Sequence, residues 1–322
     1  NSGIRMLTVD ALFTQGDNLV QRFNENQERI WDIAYSQDGK MIAIASLDSR
    51  IRLLDTFSQE LVETFETKSW PRIVVFSGES KIAALTDGAR LVEFSLNNSK
   101  GNRPATESKL PDGAVDLVSN GALTYDFSGR AILTDYSGET IMTINVPKSN
   151  ATGWLDANVA SDFSIIGTST QDAFLVMLKE HRIRMLSDGT EKIVAGRICP
   201  ATNSVILLRT DGDLFVSDIT TGTRYFLGNI GNVVDPLGPE LVDVEYLGRG
   251  RYAVAVCSYS AGEIFVTSTE SATRDLPRFT LIDCLPQITC LAYCKQSGCH
   301  AAGTKSGLYQ WHLGPSPSIA TD

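Results

Sequence analysis

A tight-turn signal returns about every 40 residues along this chain. LDSR at Asp48, TDGAR at Asp87, FSGR at Gly129, TQDA at Asp172, TDGD at Asp211, SAGE at Gly262 and TKSG at Gly307 each join two apolar, β-rich runs. The named residues lie 39, 42, 43, 39, 51 and 45 positions apart. Four strand-like runs per period at this spacing are the signature of a β-propeller, one four-stranded blade per repeat. A chain of 322 residues could hold two ordinary domains, but radially repeated all-β folds exceed the usual single-domain length. The expectation is an all-β, seven-bladed propeller of four-stranded antiparallel blades.

Repeat one is the clearest, with IWDIAYS (30–36), a turn at Gln37-Asp38-Gly39, MIAIAS (41–46), IRLLD (51–55) and LVETF (61–65). Its blade spans about 29–66, and the same order places the others at about 70–110, 113–147, 153–188, 191–228, 240–283 and 287–313. The seventh runs out after ITCLAYC, HAAGT and LYQWH. Residues 18–36 and 60–77 share Leu-Val, an aromatic three residues on, and a short loop into a first strand. Residues 18–24 therefore read as the missing fourth strand of blade seven. Pairing there closes the ring and removes an open sheet edge. Residues 1–17 are left as an extension or extra strand, with an unplaced apolar run at 4–13, and 315–322 as a tail.

The stretch IAIASLDSRIRLLD (42–55) resembles, in register, the best-known segment of WD-repeat proteins. Ser46 and Asp48 fall on the Ser and Asp of the hydrogen-bonded tetrad by which that family locks each blade. Asp55 falls on its terminal Asp, with Leu54 in place of Trp. In repeat seven Trp311 holds the Trp place and His312 replaces the Asp. Repeats three and five keep Asp135 and Asp218 but carry Thr134 and Ser217 for the Trp. No repeat has the family's Gly-His dipeptide; the histidines are His181, His300 and His312. The resemblance implies a degenerate WD-repeat propeller, with no subfamily selected, in which blades depend more on apolar burial than on the tetrad.

The chemistry that is missing narrows function. A net charge of −10 and a pI near 4.9 oppose the basic footprint of a nucleic-acid binder. No apolar run approaches the 18 or so residues of a membrane helix, and no secretory leader is visible. The chain opens Asn-Ser-Gly rather than Met, as expected of a domain excised from a longer protein. No nucleophile elbow, phosphate loop, dinucleotide fingerprint or His pair for a metal occurs, so neither an enzyme nor a cofactor is expected. Six Cys (199, 257, 284, 290, 294 and 299) lie in or beside apolar runs, where free Cys acts as a small hydrophobe. With a chain this large they point to an intracellular compartment, cytoplasmic or nuclear. Cys290 and Cys294 would lie about 13 Å apart on one strand face, too far to share a zinc whose thiolates sit about 2.3 Å away. They are expected to be core thiols that hold no metal.

What remains is a binding platform. Trp31, Trp70 and Trp154 each stand where the chain enters an innermost strand, a place that could hold either an interface anchor or a filler for the absent tetrad His. Arg50, Arg90 and Arg130, 40 residues apart, follow the turns between second and third strands. Asp213 and Glu263 take the corresponding place in repeats five and six. A positive sector over blades one to three suits an acidic or phosphorylated segment; the competing reading is solvated strand ends paired with Asp48 and Asp87. The long connections 97–111 and 228–240 are further contact candidates. The functional expectation is a non-enzymatic scaffold binding a peptide or partner protein on a propeller face, as a monomeric ring or within a larger complex. The alternative is a sensor or regulatory domain of a multidomain signalling or assembly protein.

Overall fold

The structure is a computed structural model that describes residues 21–23, 28–96, 104, 106–118, 121–146, 152–157, 163–168, 172–187, 192–199, 202–231, 240–248, 250–257, 262–269, 280–285, 287–294, 299–305 and 307–312. The apolar run at 4–13 lies outside these residues. So do the tail and most of the two long connections.

Seven four-stranded antiparallel sheets follow one another along the chain. After β1 (Gln21–Phe23), blade 1 is β2 (Ile30–Tyr35), β3 (Met41–Ser46), β4 (Arg50–Asp55) and β5 (Leu61–Glu66). Blade 2 is β6 (Pro71–Phe76), β7 (Lys81–Thr86), β8 (Arg90–Ser95) and β9 (Thr106–Lys109); blade 3 is β10 (Gly113–Val118), β11 (Gly121–Asp126), β12 (Arg130–Asp135) and β13 (Thr140–Asn145). Blade 4 is β14 (Thr152–Ala157), β15 (Phe163–Thr168), β16 (Ala173–Met177) and β17 (Arg182–Met185); blade 5 is β18 (Ile193–Cys199), β19 (Ser204–Arg209), β20 (Asp213–Asp218) and β21 (Arg224–Asn229). Blade 6 is β22 (Glu240–Gly248), β23 (Arg251–Cys257), β24 (Gly262–Ser268) and β25 (Thr280–Leu285); blade 7 is β26 (Ile288–Cys294), β27 (Cys299–Thr304) and β28 (Gly307–His312).

Each first strand touches the first strands of both neighbouring blades, and β26 meets β2, so the seven blades form a ring. In blade 7 the outermost place is taken by β1, whose Gln21, Arg22 and Phe23 face Gln310, Tyr309 and Leu308 of β28.

Composition follows radial position. Second strands are sandwiched between blades and are buried on both faces, as β3, β7, β11 and β27 are. Their small residues let neighbouring sheets approach near the axis. Gly303 shows how closely: a Cβ there would meet the Sγ of Cys290 at 2.5 Å and Cγ2 of Ile30, in blade 1, at 2.7 Å. Fourth strands have a free outer edge, and β5, β9 and β13 are mostly exposed or half-buried.

The turns explain the period. The residue before the third strand is left-handed in four blades: Ser49 (φ 62°), Ala89 (55°), Gly129 (80°) and Gly212 (84°). At Asp55, Asp135 and Asp218 the carboxylate accepts backbone N–H bonds from the turn into the fourth strand, for example Ser58 N–H at 2.8 Å and Glu139 N–H at 2.8 Å. The terminal Asp of the repeat thus survives as a turn cap.

Candidate interaction face

Strand alternation sorts the connections onto two ends of the ring. Turns between second and third strands share one end with the links that lead into each first strand. Arg50, Arg90 and Arg130 open the third strands of blades 1 to 3 at that end, and Trp31 and Trp70 stand beside the starts of β2 and β6.

All three arginines are engaged, though not with the acids anticipated. Arg50 Nη2 lies 3.6 Å from Glu66, its cross-strand neighbour. Arg90 Nη1 is 2.7 Å from Glu107, which also takes Lys68 at 2.6 Å. Arg130 places Nε 2.9 Å and Nη2 2.7 Å from Asp126 Oδ2. Asp48 instead bonds Arg52, and Asp87 lies 2.9 Å from Arg72. The three guanidiniums are about half-exposed, where such pairs contribute roughly 0–1 kcal/mol. They retain free edges but not a full unbalanced charge. The negative counterpart keeps its place: Asp213 opens β20, and Glu263 pairs with Val256, itself opposite Leu241, just as Arg50 pairs with Ser46, itself opposite Ile30.

The three tryptophans are not equivalent either. Six of the seven first strands carry a register shift at the same place, between Ile30 and Asp32, Pro71 and Ile73, Thr152 and Trp154, Ile193 and Ala195, Leu241 and Asp243, and Ile288 and Cys290. An extra residue in a strand bends it and re-aims its side chain. Trp31 and Arg72 are those extra residues, Trp70 lies two positions before Arg72, and Trp154 matches Asp32. The side chain of Trp154 lies outside the described residues. Simple counting of strand entries set the three at one place, and the bulge their blades share is the landmark that separates them.

Aligned through the bulge, Arg29-Ile30-Trp31 of blade 1 matches Trp70-Pro71-Arg72 of blade 2. The two blades exchange Arg and Trp at two shared positions. The Arg29 guanidinium stacks on the Trp31 ring, 4.2 Å from its centroid, and that of Arg72 lies 5.8 Å away. Trp70 is 45% exposed. Arg29 and Arg72 were missed in the sequence because only the spacing of Trp was compared. The exchanged R-x-W and W-x-R triplets were the available signal.

Deeper in the ring, Asp32 Oδ1 accepts Ile33 N–H at 2.9 Å and Oδ2 accepts Val74 N–H of blade 2 at 2.9 Å. Asp243 repeats this between blades 6 and 7, with Val244 N–H at 2.8 Å and Leu291 N–H at 3.0 Å. Burial pushes the Asp32 carboxyl up to about 7 despite both N–H donors, and the Asp243 charge adds to the rise. Cys290 occupies the same register in blade 7, and burial drives its thiol well above the usual range. Cys199, Cys290, Cys294 and Cys299 are buried and not in disulfides.

The Anaphase-promoting complex subunit 4 WD40 domain family matches residues 11–84. The match takes in β1, all of blade 1, β6 and the first four residues of β7, and joins the seven-blade architecture and the repeat at 42–55. Together they fit a degenerate WD-repeat β-propeller, with no subfamily identified. No curated protein matches it. In this WD-repeat propeller the tetrad implied at blade 1 is rewired: the Ser46 hydroxyl reaches the Arg29 carbonyl at 3.4 Å, and Asp48 is held by Arg52. Among the described residues of the propeller, no group of three or more His, Cys, Asp or Glu is arranged to hold a metal, and no helix is long and apolar enough to cross a membrane.

Proposed function

We propose that this propeller is a protein-interaction scaffold that binds an acidic or phosphorylated segment of a partner at the blade 1–2 rim of the arginine-bearing face. One observation carries the reading. An exposed Trp70 stands two positions before Arg72, whose guanidinium converges with that of Arg29 on Trp31, in a protein of net charge −10. A rigid aromatic beside Arg is the composition of a binding hot spot, and a surrounding negative field repels a long polyanion more than a short acidic peptide. The kinship with WD-repeat propellers supports binding rather than catalysis.

The test is recovery of partners from the source cells on the tagged protein. Trp70→Ala combined with Arg72→Glu should abolish recovery of a partner that a Phe57→Ser control retains, since Phe57 lies in the β4–β5 turn at the opposite end. The reverse pattern would move binding to that other face. A second reading has its own support. The matched family is named for a subunit of the anaphase-promoting complex, so this propeller could instead be a regulatory or docking domain within a large assembly. Co-sedimentation with a stable multisubunit complex, unaffected by the Trp70 and Arg72 changes, would favour it.

A further inference from the structure

We infer that Arg29 Nε and Trp31 Nε1 form a subsite for one oxyanion, a carboxylate or phosphate, of the bound segment. This rests on the scaffold reading above and deepens it. Both atoms are buried N–H donors with no hydrogen-bond partner among the described residues. Two unmet donors in one contact pair are unusual, because buried polar groups are almost always satisfied. The pair sits at the blade 1–2 rim, with Arg72 as a second cation over the same ring.

Asp32 is committed to two backbone N–H groups and Asp87 to Arg72, while Asp48 gives Oδ2 to Arg52 and keeps Oδ1 buried without a partner among the described residues. Glu28, the residue before Arg29, is exposed. Arg29 forms no ion pair among the described residues. None of these described carboxylates bonds Arg29 Nε or Trp31 Nε1. An anion fits better than a neutral carbonyl, because two guanidiniums flank the donors and charge-assisted bonds are the stronger ones. Both donors lie below the surface, so the anion reaches them as the Arg29 guanidinium turns off the indole. The exchange replaces a cation–π contact with hydrogen bonds to charge.

The experiment is a titration of the ¹⁵N-labelled full chain, watching the tryptophan indole N–H resonances, with Trp31 assigned through Trp31→Phe. Inorganic phosphate and N-acetylglutamate amide are added separately at constant ionic strength, against chloride. The Trp31 resonance should move saturably with one or both anions, and which one moves it distinguishes phosphate from carboxylate. Arg29→Gln should weaken the apparent affinity at least tenfold, and Arg29→Lys, which keeps the charge but loses Nε–H, several-fold. Arg182→Gln, an exposed residue that opens β17 at the opposite end of blade 4, should leave it within twofold. Thermal melts of each variant establish that it is folded. No saturable movement of the Trp31 resonance, or saturation indifferent to Arg29→Gln, overturns the subsite. Saturation without any recovered partner would leave the subsite standing and remove the scaffold reading. Partner loss in Trp70→Ala/Arg72→Glu without anion saturation would do the opposite.

Discussion

The two seams that flank blade 2 are built differently, although the same β-strand repeat makes both. Between blades 1 and 2 a single apolar layer joins the sheets. Ala43, Ala45, Ile51, Leu53 and Phe65 meet Val74, Ile82, Ala84, Val92 and Phe94, all buried, with the Phe65 and Phe94 rings 5.0 Å apart. The first strands of these blades run against each other, and Asp32 ties one to the other through Val74 N–H. Between blades 2 and 3 the first strands meet at few points, and the apolar layer shrinks to Leu85, Leu91 and Leu110 against Leu117 and Ala122. Polar groups fill the rest: Glu93 with Lys81 at 2.9 Å, and the hydroxyls of Ser108, Thr124 and Thr134, buried without partners among the described residues. A crevice of about 340 Å³ opens there, bordered by Leu110, Thr134, Gly138 and Thr140. Cohesion in this ring is therefore local: each seam holds as well as its own facing residues permit.

The largest expected effect tests that contrast directly. Phe65→Ala removes a fully buried ring from a layer that cannot close up, at a cost of about 3–5 kcal/mol. Leu110→Ala borders a void already present, so the site can relax, and the cost should fall near the lower end for such changes, about 2 kcal/mol. Chemical denaturation of both variants measures this. Equal losses would mean that the crevice gives no relief and that the seams are energetically alike.

A second effect belongs to the tight seam and depends on pH. The folded protein keeps the Asp32 proton up to about pH 7, whereas an unfolded chain releases it near pH 3.9. Between these values the folded state binds more protons, so stability falls as pH rises. From pH 5 to 8 the loss assigned to this group should be on the order of 2–3 kcal/mol. Asp32→Asn should flatten that part of the profile while lowering stability throughout, because its NH₂ faces a backbone N–H donor. Below about pH 4 the slope reverses. Asp55, Asp135 and Asp218 are held low by hydrogen bonds from Ser58, Ser137 and Thr221, and their contribution is lost on protonation. Parallel profiles for wild type and Asp32→Asn between pH 5 and 8 would remove Asp32 as the source.

The tight seam was also the more legible in sequence. Turn spacing and apolar runs such as MIAIAS and KIAALT report directly on burial, since a strand sandwiched on both faces needs no alternation; they gave the seven blades. The Arg ladder was visible too, because Arg50, Arg90 and Arg130 open regular strands. Its partners were not, because cross-strand register decides that Arg50 meets Glu66 rather than Asp48. The Trp positions failed for a backbone reason: the bulge at Trp31 and Arg72 fixes the register, and the hairpin loops after it differ, with six residues between Tyr35 and Ile42 but five between Phe76 and Ile82. Inter-blade bonds such as Asp32 to Val74 join residues 42 positions apart and leave no mark in either repeat alone.

The smallest expected effect sharpens the contrast from the loose side, and its sign is the point. Thr134 stands where the resemblance to WD repeats implies a Trp, and it faces blade 2: its neighbours Ala131 and Leu133 pack toward blade 4, so residue 134 points the other way. Its hydroxyl is buried without a partner among the described residues. Thr134→Val keeps the branched shape and β preference while exchanging that hydroxyl for a methyl group. Removing an unsatisfied buried polar group should raise stability by about 1 kcal/mol. The same exchange at Thr267 should lower it, because the Thr267 hydroxyl donates to the Leu227 carbonyl at 2.6 Å and its removal orphans an acceptor. Opposite signs for these two substitutions, read as shifts in the denaturation midpoint, would establish that the blade 2–3 seam holds polar groups at a net cost. A loss of stability in Thr134→Val would instead mean that its hydroxyl is satisfied in solution, by water in the crevice, and that the seam is wet rather than strained.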